Sequence, residues 1–401
     1  MRWALAAATA LSMASVGISA AAGATPLAAL PARATIVIQQ GTGKVLFASH
    51  ASDELPVAST TKLMTAYVTL EYEPVNRMLV EQPYTPGSGE SLAPVPVGAR
   101  LSVADMLRAM LLPSGNNVAY SLAIDVGGSV SHFVSLMNSA AAALGLTRTH
   151  YTTPIGLDTP GGNYSTAADL ATLTRVLMRD PLMRTIVDKP SARLADGIVV
   201  NNRNDLVGAY PWVVGVKTGS TQDAAYCLVA AADLNGVRLI SVVLGASSEA
   251  VRDADGLALL RYGLSLYRSA QISVGGRVYA TVPVKGRARP AHLIALFSSR
   301  LVLASTVTLH VGLDGVPRRL RGPLPAGTVE GSIDVRENGR PVESIPLETA
   351  AAVPAPRRHP TLEASDIGWV GAGGGLSVIL LGCSLPVMRR RATRRIPGVA
   401  Q

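Results

Sequence analysis

Apolar residues alternate with polar ones on both sides of Gly41-Thr42-Gly43. A period of two is typical of half-buried strands, so Ala34–Gln40 and Lys44–Ser49 predict a β-hairpin. From residue 59 the spacing changes to that of amphipathic helices, and Pro or Gly residues end each segment. Helices are predicted at Ser59–Glu73, Leu101–Leu112, Asn116–Val126, His132–Leu144 and from Ser165 or Thr166 to Asp180.

Strand-like patterns return after the helices. Short apolar runs at Trp212–Lys217, Ala225–Ala232 and Val237–Gly245 are separated by turn residues, and a helical pattern follows at Glu249–Tyr267. Strands therefore lie at both ends of this region, with helices between them. The pattern predicts an α+β fold in which an antiparallel sheet is covered by helices.

The composition changes again after this region. From Ala270 to Leu347, short β-rich runs alternate with Gly and Pro, which predicts a small all-β domain. The segment Ala350–Pro360 contains three prolines and is predicted to be a linker.

Both ends of the chain carry targeting patterns. Arg2, an apolar stretch at Ala4–Ile18 and small residues up to Ala24 are typical of a cleavable signal peptide, with an uncleaved anchor as the alternative. Near the other end, Ile367–Met388 is 22 residues without a charge, enough to cross a hydrocarbon core of roughly 30 Å. Five arginines follow and favour a cytoplasmic tail, which leaves the main body outside the cell; a mobile apolar tail is the alternative.

These patterns predict a division of the chain into six parts. They are a signal peptide (1–24), a catalytic domain (25–268), a small all-β domain (269–349), a linker (350–366), a transmembrane anchor (367–388) and a basic cytoplasmic tail (389–401).

Composition narrows the classes of function. The net charge of +9 is largely a property of the arginine-rich tail, and aromatic residues make up only 4%, which argues against a stacking surface for single-stranded nucleic acid. Export disfavours any nucleic-acid partner. The two cysteines, Cys227 in a predicted strand and Cys383 in the predicted anchor, suggest neither a disulfide nor a zinc framework, and no metal or cofactor is predicted.

Three short motifs occur in order: Ser59-Thr60-Thr61-Lys62, Ser114-Gly115-Asn116 and Lys217-Thr218-Gly219. Each alone is common, but this set in this order is typical of penicillin-binding proteins and β-lactamases. Residues three apart on a helix share a face, so Lys62 can reach the hydroxyl of Ser59.

The chemistry requires an activated serine. A serine hydroxyl is a weak nucleophile until a base removes its proton, and lysine, with an ordinary pKa of roughly 10.4, needs a lowered pKa to act as that base. Burial and a second cation, Lys217, would lower it. Ser114 can relay protons, Asn116 can fix Lys62 and the substrate amide, and the strand Trp212–Gly219 can hold a peptide at its edge.

The residues in and around these motifs resemble those of a known family. Ala58–Thr65, Pro113–Asn117 and Gly215–Gly219 are similar to the active-site motifs of low-molecular-mass penicillin-binding D-alanyl-D-alanine carboxypeptidases, and the resemblance extends from about Thr35 to Tyr267. It implies a β-lactamase/transpeptidase-like domain and a serine-type carboxypeptidase. Such an enzyme removes the terminal D-Ala from peptidoglycan stem peptides through an acyl-enzyme and is inhibited by penicillin.

The resemblance also implies roles for individual residues. Ser59 is the acylated nucleophile, Lys62 its base, and Ser114 and Asn116 form the second motif. The substrate-binding residues include Lys217, Thr218 and Gly219 of the third motif and Ser220, which follows it. The backbone N–H groups of Ser59 and Ser220 form the oxyanion hole.

Arg252 lies where the family has an arginine that holds the terminal carboxylate, with a solvated helix residue as the alternative. Ile155 and Ser220 depart from the family, which often has histidine at those places, and put substrate preference and rate in question. The expected partners are a peptidoglycan pentapeptide, β-lactam antibiotics and the cytoplasmic membrane.

Other functions remain as alternatives. A class A β-lactamase needs a glutamate to activate the deacylating water, and the chain has none between Glu90 and Glu249. A DD-endopeptidase or transpeptidase would share the acyl-enzyme. A catalytically silent wall-binding protein is disfavoured because every motif residue is intact.

Overall fold

Strands from the two ends of the predicted catalytic region meet in one sheet. The computed structural model of this chain describes residues 16–18, 27–159 and 161–356. A 3-10 turn occupies Ala58–Thr61. Helices α1–α8 span Lys62–Tyr72, Val103–Leu111, Asn116–Gly127, Val130–Ala143, Ala167–Leu177, Pro181–Val187, Leu206–Ala209 and Glu249–Ser265.

The strands are numbered in chain order. Strands β1–β10 span Val16–Ile18, Ala34–Gln39, Val45–Ser49, Leu55–Pro56, Met78–Val80, Arg100–Ser102, Tyr164–Ser165, Ser191–Arg193, Val199–Asn201 and Val213–Thr221. Strands β11–β19 span Ala225–Leu234, Val237–Ala246, Tyr267–Ser273, Val278–Val282, Ala291–Ala295, Ser299–Ala304, Leu309–Asp314, Val329–Glu337 and Arg340–Thr349.

The central sheet has five strands in the order β10-β11-β12-β2-β3. All its neighbours pair antiparallel, and β2, from the N-terminal hairpin, pairs with β12, from the later strands. The predicted α+β architecture, with an antiparallel sheet formed from both ends of the region, is therefore confirmed. Strand β10 lies at one edge, so one side of its backbone has no neighbouring strand among the described residues of the sheet.

Both faces of β11 and β12 are buried, which explains why these strands read as continuous apolar runs, whereas the edge strand β3 is largely exposed. Leu228, Ala230 and Ala232 pack in one apolar cluster with Leu257 and Leu260 of α8. The residues between them, such as Val229 and Ala231, point to the opposite face and join the larger cluster formed with helices α1–α6. The turn before α1 and the edge strand β10 both contribute side chains to this larger cluster, Ala58 and Val216, and packing there fixes their positions.

Side-chain caps begin several helices where the sequence predicted them. Ser102 accepts a hydrogen bond from the backbone N–H of Asp105 at the start of α2, and Thr166 does the same for Asp169 at α5. Two elements differ from the prediction. The segment Ser59–Glu73 begins as a 3-10 turn, so α1 starts only at Lys62. Beyond α5, Asp180 caps a further helix with Pro181 in its first turn, because proline fits the first turn of a helix.

The described residues from Tyr267 onward contain strands and no helix, in line with the all-β pattern of the sequence. Strands β14, β15, β17, β18 and β19 belong to a six-stranded sheet that also includes β1, and β13 pairs with β16. This region has its own apolar cluster, with Leu293, Val335 and Ile345 at its centre. The division between domains at residues 268 and 269 stays a prediction.

The targeting predictions fall largely beyond this region. The predicted signal peptide lies outside the described residues except for Val16–Ile18, and the predicted anchor 367–388, its tail and Cys383 lie wholly outside them. In the part of the chain that the structure describes, no helix has the length and apolar character needed to cross a membrane.

Candidate active site

Ser59 and Lys62 are brought together by the 3-10 turn that leads into α1. The Nζ atom of Lys62 lies 2.9 Å from the Oγ atom of Ser59. Lys62 is fully buried, whereas Ser59 is half-buried and lines an open cleft of about 260 Å³. The nucleophile is thus within reach of a substrate while its predicted base is shielded from water.

Lys62 has two further partners. Its Nζ atom donates to Oδ1 of Asn116 at 2.7 Å and to the carbonyl of Ile155 at 3.1 Å. Burial and, next, the charge of Lys217 lower the pKa of Lys62 well below its ordinary value, against an opposing effect of Glu90. A lysine with a lowered pKa can hold a neutral amine, which is the form that accepts a proton from Ser59.

The second motif lies between α2 and α3. Ser114 has a positive φ of 67°, and its side chain lines the cleft close to Ser59. The next residue must be glycine, because a Cβ on Gly115 would lie 2.7 Å from that of Ala93. Asn116 then begins α3 and points its amide at Lys62. The prediction that Asn116 fixes Lys62 agrees with this geometry.

The third motif lies on the edge strand β10. Lys217 is buried and donates to the carbonyl of Thr218 at 2.9 Å; burial, then Arg203 and Arg252, lower the pKa of Lys217 to about 7. Gly219 packs directly on the turn, since a Cβ there would lie 3.0 Å from the backbone nitrogen of Ser59. This close approach brings the backbone of β10 beside the nucleophile.

All nine predicted site residues meet in this one place. Those that line the cleft are Ser59, Ser114, Thr218, Gly219, Ser220 and Arg252. The three others, Lys62, Asn116 and Lys217, are buried. The cleft is also lined by residues with no assigned role in the sequence, namely Ser91, Asn202, Arg203, Asp205 and Glu249.

Arg252 is already paired. Only 2% of its side chain is exposed, and its guanidinium donates to both carboxylate oxygens of Asp253, at 2.9 and 3.2 Å, and lies 3.4 Å from Glu249. Arg203 lines the same cleft. A substrate carboxylate would therefore meet two arginines there, one of which already has acidic neighbours.

Glu90 is the residue that sequence reasoning missed. Its carboxylate accepts hydrogen bonds from Nδ2 of Asn116 at 2.8 Å, from the Tyr84 hydroxyl and from the backbone N–H of Gly87 at 2.7 Å. Burial alone would raise the pKa of Glu90, but the hydrogen bonds from Tyr84, Asn116 and Gly87 and the charge of Lys62 together lower that pKa. Because its Nδ2 binds Glu90, Asn116 presents Oδ1 to Lys62.

A second acid lies beneath the site. The Oε1 atom of Glu81 accepts from Nδ2 of Asn117 at 2.8 Å, while Oε2 is buried without a hydrogen-bond partner among the described residues. Burial raises the pKa of Glu81 from its ordinary value to about 7. Between about pH 4.5 and about pH 7 the folded protein therefore holds a proton here that the unfolded chain has largely lost.

This shift predicts pH-dependent stability. Because its pKa is raised in the folded state, protonated Glu81 contributes its full stabilisation below about pH 4.5. This contribution to the free energy of unfolding is lost as the pH rises through about 7. Glu81→Gln, which cannot ionise, should raise the free energy of unfolding at pH 8 by about 1–3 kcal/mol and leave it nearly unchanged at pH 4. Thermal melts at the two pH values test this, with the exposed Glu54→Gln as control; an equal effect at both would contradict it.

Comparison with known proteins gives consistent matches. The model of the family peptidase S11, described as D-alanyl-D-alanine carboxypeptidase, matches residues 20–248. D-alanyl-D-alanine carboxypeptidase DacC of Escherichia coli K12 is 33% identical over 346 residues, which cover 79% of this chain and 82% of that protein.

Two solved structures are similar to the described fold. The D-alanyl-D-alanine carboxypeptidase DacD of Francisella tularensis has a TM-score of 0.58 and 26% identity, covering 82% of this chain and 95% of its own. The DD-transpeptidase of Streptomyces K15 has a TM-score of 0.56 and 32% identity, covering 60% of this chain and 100% of its own.

Proposed function

This chain belongs to the peptidase S11 family of D-alanyl-D-alanine carboxypeptidases and is a serine-type hydrolase, and from that premise we propose how its own residues cleave a peptidoglycan stem peptide. The observation that carries the proposal is the 2.9 Å separation between Lys62 Nζ and Ser59 Oγ, together with the lowered pKa of Lys62. The geometry supports a general base acting directly on the nucleophile.

The first step is acylation. Neutral Lys62 takes the proton of Ser59 as Oγ attacks the carbonyl carbon of the penultimate D-Ala. The backbone N–H groups of Ser59 and Ser220 would hold the resulting oxyanion. The C–N bond then breaks, and the departing D-Ala amine takes the proton back from Lys62 through the hydroxyl of Ser114, which lines the same cleft.

The second step is hydrolysis of the ester. Water attacks the acyl carbon, its proton passes to Lys62, and the alkoxide of Ser59 leaves and is reprotonated. The products are a shortened stem peptide and free Ser59. During both steps the peptide would lie along β10, whose outer edge has no strand beside it in the sheet.

Acylation can be tested directly. A β-lactam resembles the terminal dipeptide amide, so penicillin should form an ester with Ser59 in the full-length protein. Peptide mass spectrometry should find the adduct on the peptide that contains Ser59, and a D-Ala-D-Ala-ended pentapeptide should release D-Ala. An adduct at another residue would overturn the assignment of the nucleophile.

Transpeptidation is the second candidate. The structural neighbour from Streptomyces K15 is named a DD-transpeptidase, and the same acyl-enzyme could react with an amine in place of water. Supplying glycine or a D-amino acid with the pentapeptide separates the two outcomes. Hydrolysis yields the shortened peptide alone, whereas transfer yields a peptide with the added amino acid at its end.

Arg252 should contribute modestly to binding of the terminal carboxylate. A charge-assisted hydrogen bond stabilises by about 1.5–3 kcal/mol, and the lower end applies because Asp253 and Glu249 already engage this guanidinium. We expect Arg252→Ala to lower kcat/KM for the pentapeptide about tenfold. Arg175→Ala, on α5, is the matched control, and an unchanged kcat/KM for Arg252→Ala would assign the residue to structure alone.

We place the catalytic region outside the cytoplasm, held by the segment Ile367–Met388. The support is the sequence pattern: a charge-free span, Trp369 near one end and five arginines beyond the other. Deleting residues from 367 onward should release a penicillin-binding protein from the membrane fraction. Protease added to spheroplasts should digest the Ser59 region of the full chain, and protection of that region would contradict the topology.

A further inference from the structure

Six basic residues cluster at one end of the strand-rich region. They come from two segments far apart in sequence, 283–289 and 318–324, and are Lys285, Arg287, Arg289, Arg318, Arg319 and Arg321. We call this cluster the basic end.

Backbone pairing fixes the two segments side by side. Val284 and Leu320 form a parallel bridge, in which the N–H of Lys285 donates to the carbonyl of Leu320 at 2.9 Å. A third segment, which ends the described chain, joins them. Leu324 and Val353 exchange backbone hydrogen bonds at 2.9 and 2.8 Å, and Nε of Arg287 donates to the carbonyl of Ala355 at 3.0 Å.

The three segments that meet at the basic end, 283–291, 316–327 and 349–356, contain no acidic residue, and Glu348, beside Gly327, borders them. Five of the six side chains are exposed and Arg287 is half-buried, and none of the six takes part in an ion pair with another described residue. Six exposed or half-exposed cations produce a positive potential that favours an anionic partner.

The position of the basic end in the chain indicates which anionic partner it contacts. The chain leaves this surface at Pro356 and continues through Arg357 and Arg358 toward the proposed anchor 367–388. The intervening segment 357–366 can span at most roughly 35 Å. If the anchor lies in the bilayer, a segment of this length keeps the basic end within reach of lipid headgroups.

We propose that the basic end is an electrostatic contact surface for the anionic headgroups of phospholipids. This proposal rests on the extracytoplasmic, anchored location proposed above, and it adds a contact that limits how far the strand-rich region moves from the membrane. Each Lys or Arg near an anionic bilayer strengthens binding severalfold, and the effect weakens over a Debye length of about 10 Å at moderate salt.

The test uses the full chain with an environment-sensitive dye at the basic end. Ala288→Cys supplies an exposed labelling position, Cys383→Ser removes the other reactive thiol, and Cys227 is buried. The labelled protein is mixed with phosphatidylcholine vesicles with or without phosphatidylglycerol. We expect the emission to shift to shorter wavelength with phosphatidylglycerol at low salt, and to return at high salt.

Charge variants separate this contact from general attraction. Arg318→Gln/Arg319→Gln/Arg321→Gln should lower the apparent binding constant of the contact roughly tenfold or more. The matched control, Lys44→Gln/Arg100→Gln/Lys189→Gln, loses the same charge at exposed positions elsewhere and should respond like the parent protein. Penicillin acylation should be equal in all three proteins.

Several outcomes would overturn the proposal. One is an emission wavelength that does not change when phosphatidylglycerol is added. Another is a wavelength shift that persists in the Arg318/Arg319/Arg321 variant. A third is a shift produced by a soluble glycerol-phosphate polymer but not by vesicles. Flotation with pure phosphatidylcholine vesicles reports on the anchor separately, since failure there does not prevent the dye from reporting contact with anionic lipid.

Discussion

Lys62→Ala should abolish acylation of Ser59 by penicillin while the protein stays folded. The amine of Lys62 lies 2.9 Å from the Ser59 hydroxyl, and without this base the hydroxyl keeps its proton. Losing a general base lowers a rate by roughly 10²–10⁴-fold, and residues that act together often lose more. The measurement is the rate of adduct formation by mass spectrometry at several pH values.

The design must separate lost chemistry from lost structure. Lys62 is fully buried, so truncation to alanine leaves a cavity beside Asn116. Lys62→Met keeps most of the side-chain volume and removes only the amine, and Lys44→Ala changes an exposed lysine as control. Both Lys62 variants should melt cooperatively. Near-normal acylation by either folded variant would show that another group removes the proton.

The motif residues could be predicted from sequence because their geometry depends mostly on local spacing. Ser59 and Lys62 are three residues apart, and either an α-helix or a 3-10 turn places them on one side. For the same reason, the sequence could not distinguish the two helix types. The close approach of β10 to this turn was equally hidden from the sequence, because it rests on a tertiary contact in which a Cβ on Gly219 would lie 3.0 Å from the backbone nitrogen of Ser59.

The parts that sequence could not predict depend on long-range packing. Glu90 is 26 residues before Asn116 and lies in a Pro- and Gly-rich segment without periodicity, so no pattern pointed to its position. The pairing of Arg252 with Asp253 could not be predicted from sequence either, since adjacent residues on a helix do not ordinarily face each other. The resemblance predicted only that Arg252 holds a substrate carboxylate, with a solvated helix residue as the alternative.

Glu90 should therefore be a positioning residue for the base. It is joined to Lys62 through the amide of Asn116, with 2.8 Å on one side and 2.7 Å on the other. Glu90→Ala would leave Nδ2 of Asn116 and the Tyr84 hydroxyl without this partner, and Asn116 could then turn away from Lys62. We expect acylation of Ser59 to slow about ten- to a hundredfold, in line with the loss of a charge-assisted hydrogen bond.

A pH profile distinguishes this role from a purely structural one. The negative charge of Glu90 raises the pKa of Lys62 against the larger effects of burial and Lys217. Glu90→Gln keeps an acceptor for Asn116 but removes the charge, so the pKa of Lys62 should fall further. Acylation requires neutral Lys62, and its rising limb should therefore move to lower pH, while the exposed Glu54→Gln should leave it in place. A slower rate with an unmoved limb would mean that Glu90 supports the fold of its loop and has no electrostatic contact with the base.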